Sequence, residues 1–405
     1  MPSGLRAYGA VTAAYWGFML TDGALRMLVL LHFNSLGFSP VQLAWLFLLY
    51  EVAGIVTNLS AGWLAARFGL TSTLYAGLMV QIAALVALTQ LDPGWSIAAS
   101  VVFVMAVQGL SGVAKDLAKM SSKSAVKLLA PEGEGALFRW VALLTGSKNA
   151  VKGLGFFLGA ALLAGVGFAG AAWGMAAALS LVLVAVALFM PAGLPGGIKG
   201  VKFTGVWSRD ARINRLSLAR MFLFGARDCW FVVGIPVYFG TVLTGEIGLT
   251  RGAAFFWTGG FMAGWIIFYG AIQAAAPRLL RQAPATGRTA ALWAAGLSLV
   301  PLVLALAVLW LPVSLALTGL LVAGLLVFGA VFAVNSALHS YLILAFAKAE
   351  RVTMDVGFYY MANAAGRLLG TLMSGLSYQL GGLPACLGAA ALMAAASALA
   401  ARRIN

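Results

Sequence analysis

Five basic residues, Arg26, Lys148, Lys152, Arg227 and Arg367, fall near the middle of long apolar stretches of this 405-residue chain. Placing one such charge at the centre of a membrane helix costs about 2.5–3.5 kcal/mol. That cost is borne only where the charges meet partners, water or a charged ligand. Lys148 and Lys152 are four positions apart, so on a helix both ammonium groups project to one side. Two like charges so placed repel unless an anion lies between them. Three mid-stretch acids, Asp22, Glu51 and Asp228, are available as ion-pair partners or as proton-coupling groups. Asp22 and Arg26, also four apart, are spaced to satisfy each other, while Glu51 and Asp228 can neutralise two more cations. Five against three leaves a surplus, and no acid lies near the lysine pair in its own helix. Simple ion pairing is the competing account for Arg26 or Arg227. The chemistry favoured is recognition of a multiply charged anion, with arginine as a bidentate fork and lysine as a point charge.

Neutral partners are at hand in Asn149, Asn335 and Asn363. His339, deep in the tenth apolar block, reads equally as a proton relay or as a packing residue, and His32, at a helix end, as packing. Lys115, Lys119, Lys123 and Lys127 recur every four residues and form a basic stripe on a helix. Such a stripe funnels anions toward a cavity, although lysines at an inner helix end also serve orientation alone. No catalytic constellation, metal-ligand spacing or cofactor motif is present in the sequence. Cys229 and Cys386 both lie in apolar blocks and read as small core residues.

The elements that must position these residues are membrane helices. Hydrophobic residues make up 62% of the chain and charged residues 9%, too few charges to cover a soluble domain of this size. The apolar residues come in blocks of roughly 20, the length that crosses a bilayer. The blocks are 10–33, 41–64, 72–91, 96–115, 137–163, 168–190, 213–240, 253–275, 290–310, 313–346, 355–378 and 385–401. The division expected is a six-helix bundle over 1–190, a cytoplasmic linker over 191–212 and a second six-helix bundle over 213–405. Glycines at Gly155/Gly159, Gly260/Gly264 and Gly366/Gly370 have the spacing that lets membrane helices approach closely.

The formal net charge of +15 does not point to nucleic acid, because most of the basic residues fall in short loops between the blocks. Only Arg251 lies in an outer loop if the N-terminus is inside. That is the positive-inside pattern, and it puts both termini in the cytoplasm. The first block carries Asp22 and Arg26 and reads as a true helix rather than a cleaved leader.

The two halves read as copies. Asp22 aligns with Asp228 and Phe33 with Phe239, and Asn149-Ala-Val-Lys152-Gly-Leu-Gly155 has a counterpart in Asn363-Ala-Ala-Gly-Arg367-Leu-Leu-Gly370. Parallel six-helix repeats are the architecture of the major facilitator superfamily. The expected fold is therefore an all-α membrane protein of major facilitator type, with twelve transmembrane helices in two pseudo-symmetric six-helix bundles. Gly62-Trp-Leu-Ala-Ala-Arg67-Phe-Gly69 resembles that superfamily's signature after helix two, departing at Ala66 where an Asp is usual. In that fold helices three, six, nine and twelve are the outer ones, and the mid-block charges avoid all four.

Four stretches carry a closer resemblance: Thr21-Asp-Gly-Ala-Leu-Arg26-Met-Leu-Val-Leu-Leu-His-Phe33, Tyr50-Glu-Val-Ala-Gly-Ile-Val-Thr-Asn58, Gly112-Val-Ala-Lys-Asp-Leu-Ala-Lys-Met-Ser-Ser-Lys-Ser-Ala-Val-Lys127 and Thr145-Gly-Ser-Lys-Asn-Ala-Val-Lys152. They resemble the organoarsenical efflux permeases of bacterial arsenic-resistance operons, the ArsJ type. The resemblance implies export of 1-arseno-3-phosphoglycerate across the bacterial inner membrane, conferring arsenate resistance. It also implies a functional partnership, without a stable complex, with the glyceraldehyde-phosphate dehydrogenase that makes this ester. Such a substrate carries a phosphate of about −1.5 to −2 charge and a second, arsenate, anion, which suits a surplus of basic charge. Organophosphate antiporters are similar in placing arginines on helices one and seven, where Arg26 and Arg227 lie. Exchange of another organophosphate or a carboxylate is the alternative within transport. A drug exporter would want an apolar, acidic cavity, and a membrane-embedded transferase would want a His/Asp cluster and large loops.

Overall fold

The structure, a computed structural model, describes residues 3–129, 136–190, 208–280, 286–347 and 352–404. Its helices are α1 (Ser3–Ser35), α2 (Pro40–Trp45), α3 (Leu48–Phe68), α4 (Leu70–Leu88), α5 (Ile97–Leu129) and α6 (Ala136–Phe189), then α7 (Ala211–Phe231), α8 (Gly234–Gly245), α9 (Arg251–Leu279), α10 (Gly287–Trp310), α11 (Leu315–Phe346) and α12 (Val352–Arg402). No strand occurs among the described residues. Ten stretches are long and apolar enough to cross a membrane, with α2–α3 forming one stretch and α7–α8 another. The chain is accordingly read as an all-α, multi-pass membrane protein.

Two of the ten stretches fold back on themselves. Within α6, Gly167 takes φ 73 and ψ −178, a conformation that a side chain opposes and glycine accepts. The consequence is visible on α1, where Gly17 lies against Val182 while Gly23, less than two turns on, lies against Lys152. A straight helix would set Val182 and Lys152 about 45 Å apart at 1.5 Å per residue. In α12 the reversal falls at Gly381 and Gly382, with Pro384 following. There Gly225 meets both Met393 and the carbonyl of Gly366. Counted by direction, the described residues supply twelve long apolar runs.

Close approach sets the pairing of helices. A Cβ at Gly159 would strike the Ala24 backbone on α1, and one at Gly366 would strike the Met221 backbone on α7. The first limb of α6 thus seats on α1 as the first limb of α12 seats on α7. The pair Gly260/Gly264 does not behave as expected: nothing lies within 4 Å of either, and the contact in α9 is made by Gly259 against Ala160. Spacing alone gives the stripe, and the turn of the helix decides which glycine faces a neighbour. Between the halves, α6 packs along α9, and α2 and α3 pack along α12.

The break between α7 and α8 is secured by Ser374, whose hydroxyl accepts the freed amides of Val233 and Gly234, each at 3.1 Å. Of the expected linker, 191–207 lies outside the described residues. Its last two residues are already helix, because the Asp210 side chain accepts the Arg212 amide at 2.8 Å and starts α7 at Ala211. Arg215 and Arg220 are therefore helical, within the seventh block. The fourth block likewise does not stop at 115; α5 runs on to Leu129 and carries Lys115 and Lys119 with it.

Candidate functional site

A cavity of about 230 Å³ lies at the centre of the bundle. Its wall is built from α1, α3, α5, the first limb of α6, α7, α9, α11 and the first limb of α12. None of its lining residues comes from α4, α10 or the second limbs of α6 and α12. These four carry the third, sixth, ninth and twelfth apolar blocks, the ones without mid-span charge.

Eight cations line this cavity among the described residues: Arg26, Lys115, Lys119, Lys148, Lys152, Arg220, Arg227 and Arg367. Four carboxylates answer them. Asp116 and Asp228 are on the wall, and Asp22 and Glu51 stand just behind it, 2% and 0% exposed.

The charges form three groups. The first is a chain of alternating sign running from α1 to α7. Arg26 donates to Glu51 Oε1 at 3.3 Å and Arg367 donates to the same oxygen at 2.6 Å. Arg367 also reaches Asp228 with its Nε at 3.3 Å, and Asp228 takes Arg227 at 2.5 Å. Glu51 lies in the first half of the sequence and Arg367 in the second, so the chain crosses between them. The second group is centred on Asp22, which accepts Lys152 at 2.5 Å and the Tyr50 hydroxyl at 2.7 Å. The third is centred on Asp116, which accepts Lys119 and the Thr57 hydroxyl, both at 2.5 Å; Lys119 also reaches Asn58 Oδ1.

This geometry corrects two expectations. Asp22 does not pair with Arg26 along the helix, although the two are four apart; the pairing goes across helices, to Lys152. Lys152 in turn has a carboxylate after all, supplied by α1 rather than by its own helix. Tertiary packing brings together what spacing on one helix does not contain.

Of the other residues singled out from sequence, Lys148, Asn149 and Asn363 lie on the cavity wall. Asn335 and His339 do not. Both are fully buried on α11, and neither the Asn335 amide nor either His339 ring nitrogen has a hydrogen-bond partner. On the same helix Ser340 lines the cavity, and the buried Ser336 accepts from Arg220. Of the lysine stripe, Lys115 and Lys119 are wall residues rather than a funnel at the helix end; the side chains of Lys123 and Lys127 lie outside the described residues. His32 stacks on Phe168 with ring centroids 4.1 Å apart, a packing role.

Sequence reasoning passed over Asp116, one residue beyond the fourth block, and Arg220, within the seventh. A signal was available. Arg220, Phe224 and Arg227 stand at i, i+4 and i+7, one face of a helix, and the Phe224 ring lies 4.0 Å from the Arg220 guanidinium and 4.9 Å from that of Arg227.

Solved structures share this architecture over almost the whole chain. One, from work on substrate recognition in proton-dependent oligopeptide transporters, superposes with a TM-score of 0.73 at 12% identity, covering 99% of this chain and 98% of that one. A POT family transporter in complex with a thioalcohol-conjugated peptide gives 0.72 at 14% identity, with 97% and 95% covered. The nucleoside transporter NupG gives 0.71 at 14% identity, with 99% and 98% covered. The fold is that of the major-facilitator-type transporters. No family model matches the chain, and no curated protein matches it in sequence. Within this major-facilitator-type fold the eight cavity segments surround the charges described above. At about 230 Å³ the cavity falls below the roughly 300–1,000 Å³ usual for drug-sized ligands. It is small and cationic.

Proposed function

We propose that this chain is a membrane carrier of small organic anions and exports them by alternating access, its two halves rocking about the central cavity. The observation that carries this reading is the surplus of charge at the centre: eight cations against four carboxylates, in a space enclosed by eight apolar segments. Burying such a surplus is unfavourable unless a counter-charge joins it. A carrier supplies one with each substrate molecule. The domains in this account are 1–190 and 213–405, the membrane is the bacterial inner membrane, and both termini are cytoplasmic. The chain performs no chemistry and needs no cofactor.

The substrate we propose is 1-arseno-3-phosphoglycerate, on the resemblance of the segments around Arg26, Glu51, Lys115 and Lys152 to the organoarsenical permeases. Those segments contribute eight of the charged residues in or against the cavity wall: Asp22, Arg26, Glu51, Lys115, Asp116, Lys119, Lys148 and Lys152. Another organophosphate or a carboxylate, carried by exchange, is the second reading; the same basic surplus supports it. The test is a resistance assay. Cells producing this chain should tolerate arsenate only when a glyceraldehyde-phosphate dehydrogenase able to use arsenate is produced with it. Arsenite tolerance should not change, since arsenite is neutral at pH 7. Protection against arsenite, or against arsenate without such a dehydrogenase, would exclude the arsenical substrate.

A further inference from the structure

The eight cavity cations are not equivalent. Arg26, Lys119, Lys152, Arg227 and Arg367 each have a carboxylate within 3.3 Å. Arg220 has none among the described residues, although it is only 4% exposed. Its Nε donates to Asn363 Oδ1 at 2.9 Å, and its Nη1 donates to the Ser336 carbonyl and hydroxyl, both at 3.0 Å. Gln273 donates to the same hydroxyl at 3.3 Å. All these partners are neutral. They fix the plane of the guanidinium, with Phe224 against its face, but they leave its charge intact and its Nη2 without a hydrogen bond. Lys115 is the counterpart in the first half. It is 8% exposed, forms no hydrogen bond or ion pair, and rests its ammonium 4.0 Å from the centre of the Tyr50 ring. Both residues line the cavity.

We propose that Arg220 and Lys115 are the residues that meet the charge of the bound anion. The chain Arg26–Glu51–Arg367–Asp228–Arg227, three guanidiniums on two carboxylates, is then a strut that ties the halves together, each of its cations already engaged by a carboxylate. The inference rests on the anion-carrier reading above and assigns its specificity. A guanidinium held by neutral acceptors with one edge free is preorganised for an oxyanion of the phosphate or carboxylate class, which it binds through a charge-assisted fork. An ammonium seated on an aromatic face, without a carboxylate in ion-pair contact, supplies the second point of attraction. A cation already paired with a carboxylate would have to break that pair to bind, and would leave the carboxylate buried and alone.

Thermal unfolding of the purified chain separates these roles. The probes are 3-phosphoglycerate, inorganic phosphate and sulfate, and the variants are Arg220→Met, Lys115→Met, Arg220→Lys and, as a structural control, Lys152→Met. Without a probe, Arg220→Met and Lys115→Met should melt at or above the wild-type temperature, because each removes a buried charge that has no carboxylate in ion-pair contact. Lys152→Met should melt lower, because it leaves Asp22 behind. With 3-phosphoglycerate the wild type should be stabilised, and the Arg220→Met and Lys115→Met variants should lose that shift. Arg220→Lys keeps the charge without the fork, and its apparent Kd should weaken roughly tenfold. The assignment is overturned if Arg220→Met or Lys115→Met melts as low as Lys152→Met, or keeps the wild-type shift. In the latter case the carrier reading still stands. If none of the three anions shifts the wild type, the carrier reading itself fails and the assignment falls with it.

Discussion

The ammonium of Lys152 lies 2.5 Å from the carboxylate of Asp22, and the guanidinium of Arg367 meets Asp228 at 3.3 Å in the corresponding place of the second half. Asp22 and Asp228 occupy matching positions of the internal repeat, as do the helix limbs that carry Lys152 and Arg367. The same acid–base pair is thus built twice, from the first and fifth apolar runs of each half. The copies then diverge. Arg367 has a second carboxylate, Glu51 of the other half, whereas Asp22 has the Tyr50 hydroxyl.

Breaking the first-half pair should be costly. Lys152→Met leaves Asp22 buried with only the Tyr50 hydroxyl, and loss of one partner of a buried pair costs about 3–5 kcal/mol. Adding Asp22→Asn should recover most of that loss, since the orphaned charge is then gone. Thermal melts of the two single variants and the double variant check this. Additive losses would mean that the two groups do not depend on each other.

Glu51 is the acceptor shared by Arg26 and Arg367, one from each half. On the far side, away from the chain termini, the halves also meet where the Val41 amide donates to the Gln379 side chain at 3.4 Å. A disulfide between Val41→Cys and Gln379→Cys reports that contact. Adding Glu51→Gln should slow its formation several-fold by loosening the tie beneath it. An unchanged rate would show that the halves are held together without this ion bridge.

Arg367→Lys preserves charge but not shape. A single ammonium cannot span Glu51 and Asp228 as the guanidinium does through Nη2 and Nε, so one carboxylate loses its partner. Transport should fall by roughly tenfold or more, in line with about 1.4 kcal/mol per factor of ten, while the amount of protein in the membrane stays near wild type. Wild-type transport by this variant would remove Arg367 from the mechanism.

Topology follows from charge. A C-terminal alkaline phosphatase fusion should be inactive and a C-terminal fluorescent-protein fusion bright, as cytoplasmic termini require. The opposite pair of results would overturn the expected orientation.

On the proposed reading, anion exit should need no obligatory proton. An inside-negative potential favours it by about 2.3 kcal/mol per charge per 100 mV, or about 7 kcal/mol for roughly three charges. Vesicles with a membrane potential and no pH gradient should therefore transport. Transport driven by a pH gradient alone, at zero potential, would contradict this.

The amino-acid sequence by itself determined the helical class and the order of the apolar runs, because block length and charge placement are local properties. It also singled out the five mid-block cations. All five lie on the cavity wall, since a charge in an apolar run has few other places to go. Its errors share one cause. Pairing Asp22 with Arg26, ending the fourth block at Lys115, and passing over Arg220 all treat each helix as if its neighbours were absent. Burial by other helices keeps Lys115, Asp116 and Arg220 inside although local composition turns polar there. Asn335 and His339 show the converse, since the turn of the helix decides that Ser340 faces the cavity and Ser336 meets Arg220 while these two do neither. Only the tertiary structure decided which cations are compensated. An ion pair between helices depends on how two glycine-notched surfaces seat against each other, at Gly159 on Ala24 and at Gly366 on Met221, and no spacing within a single helix records it.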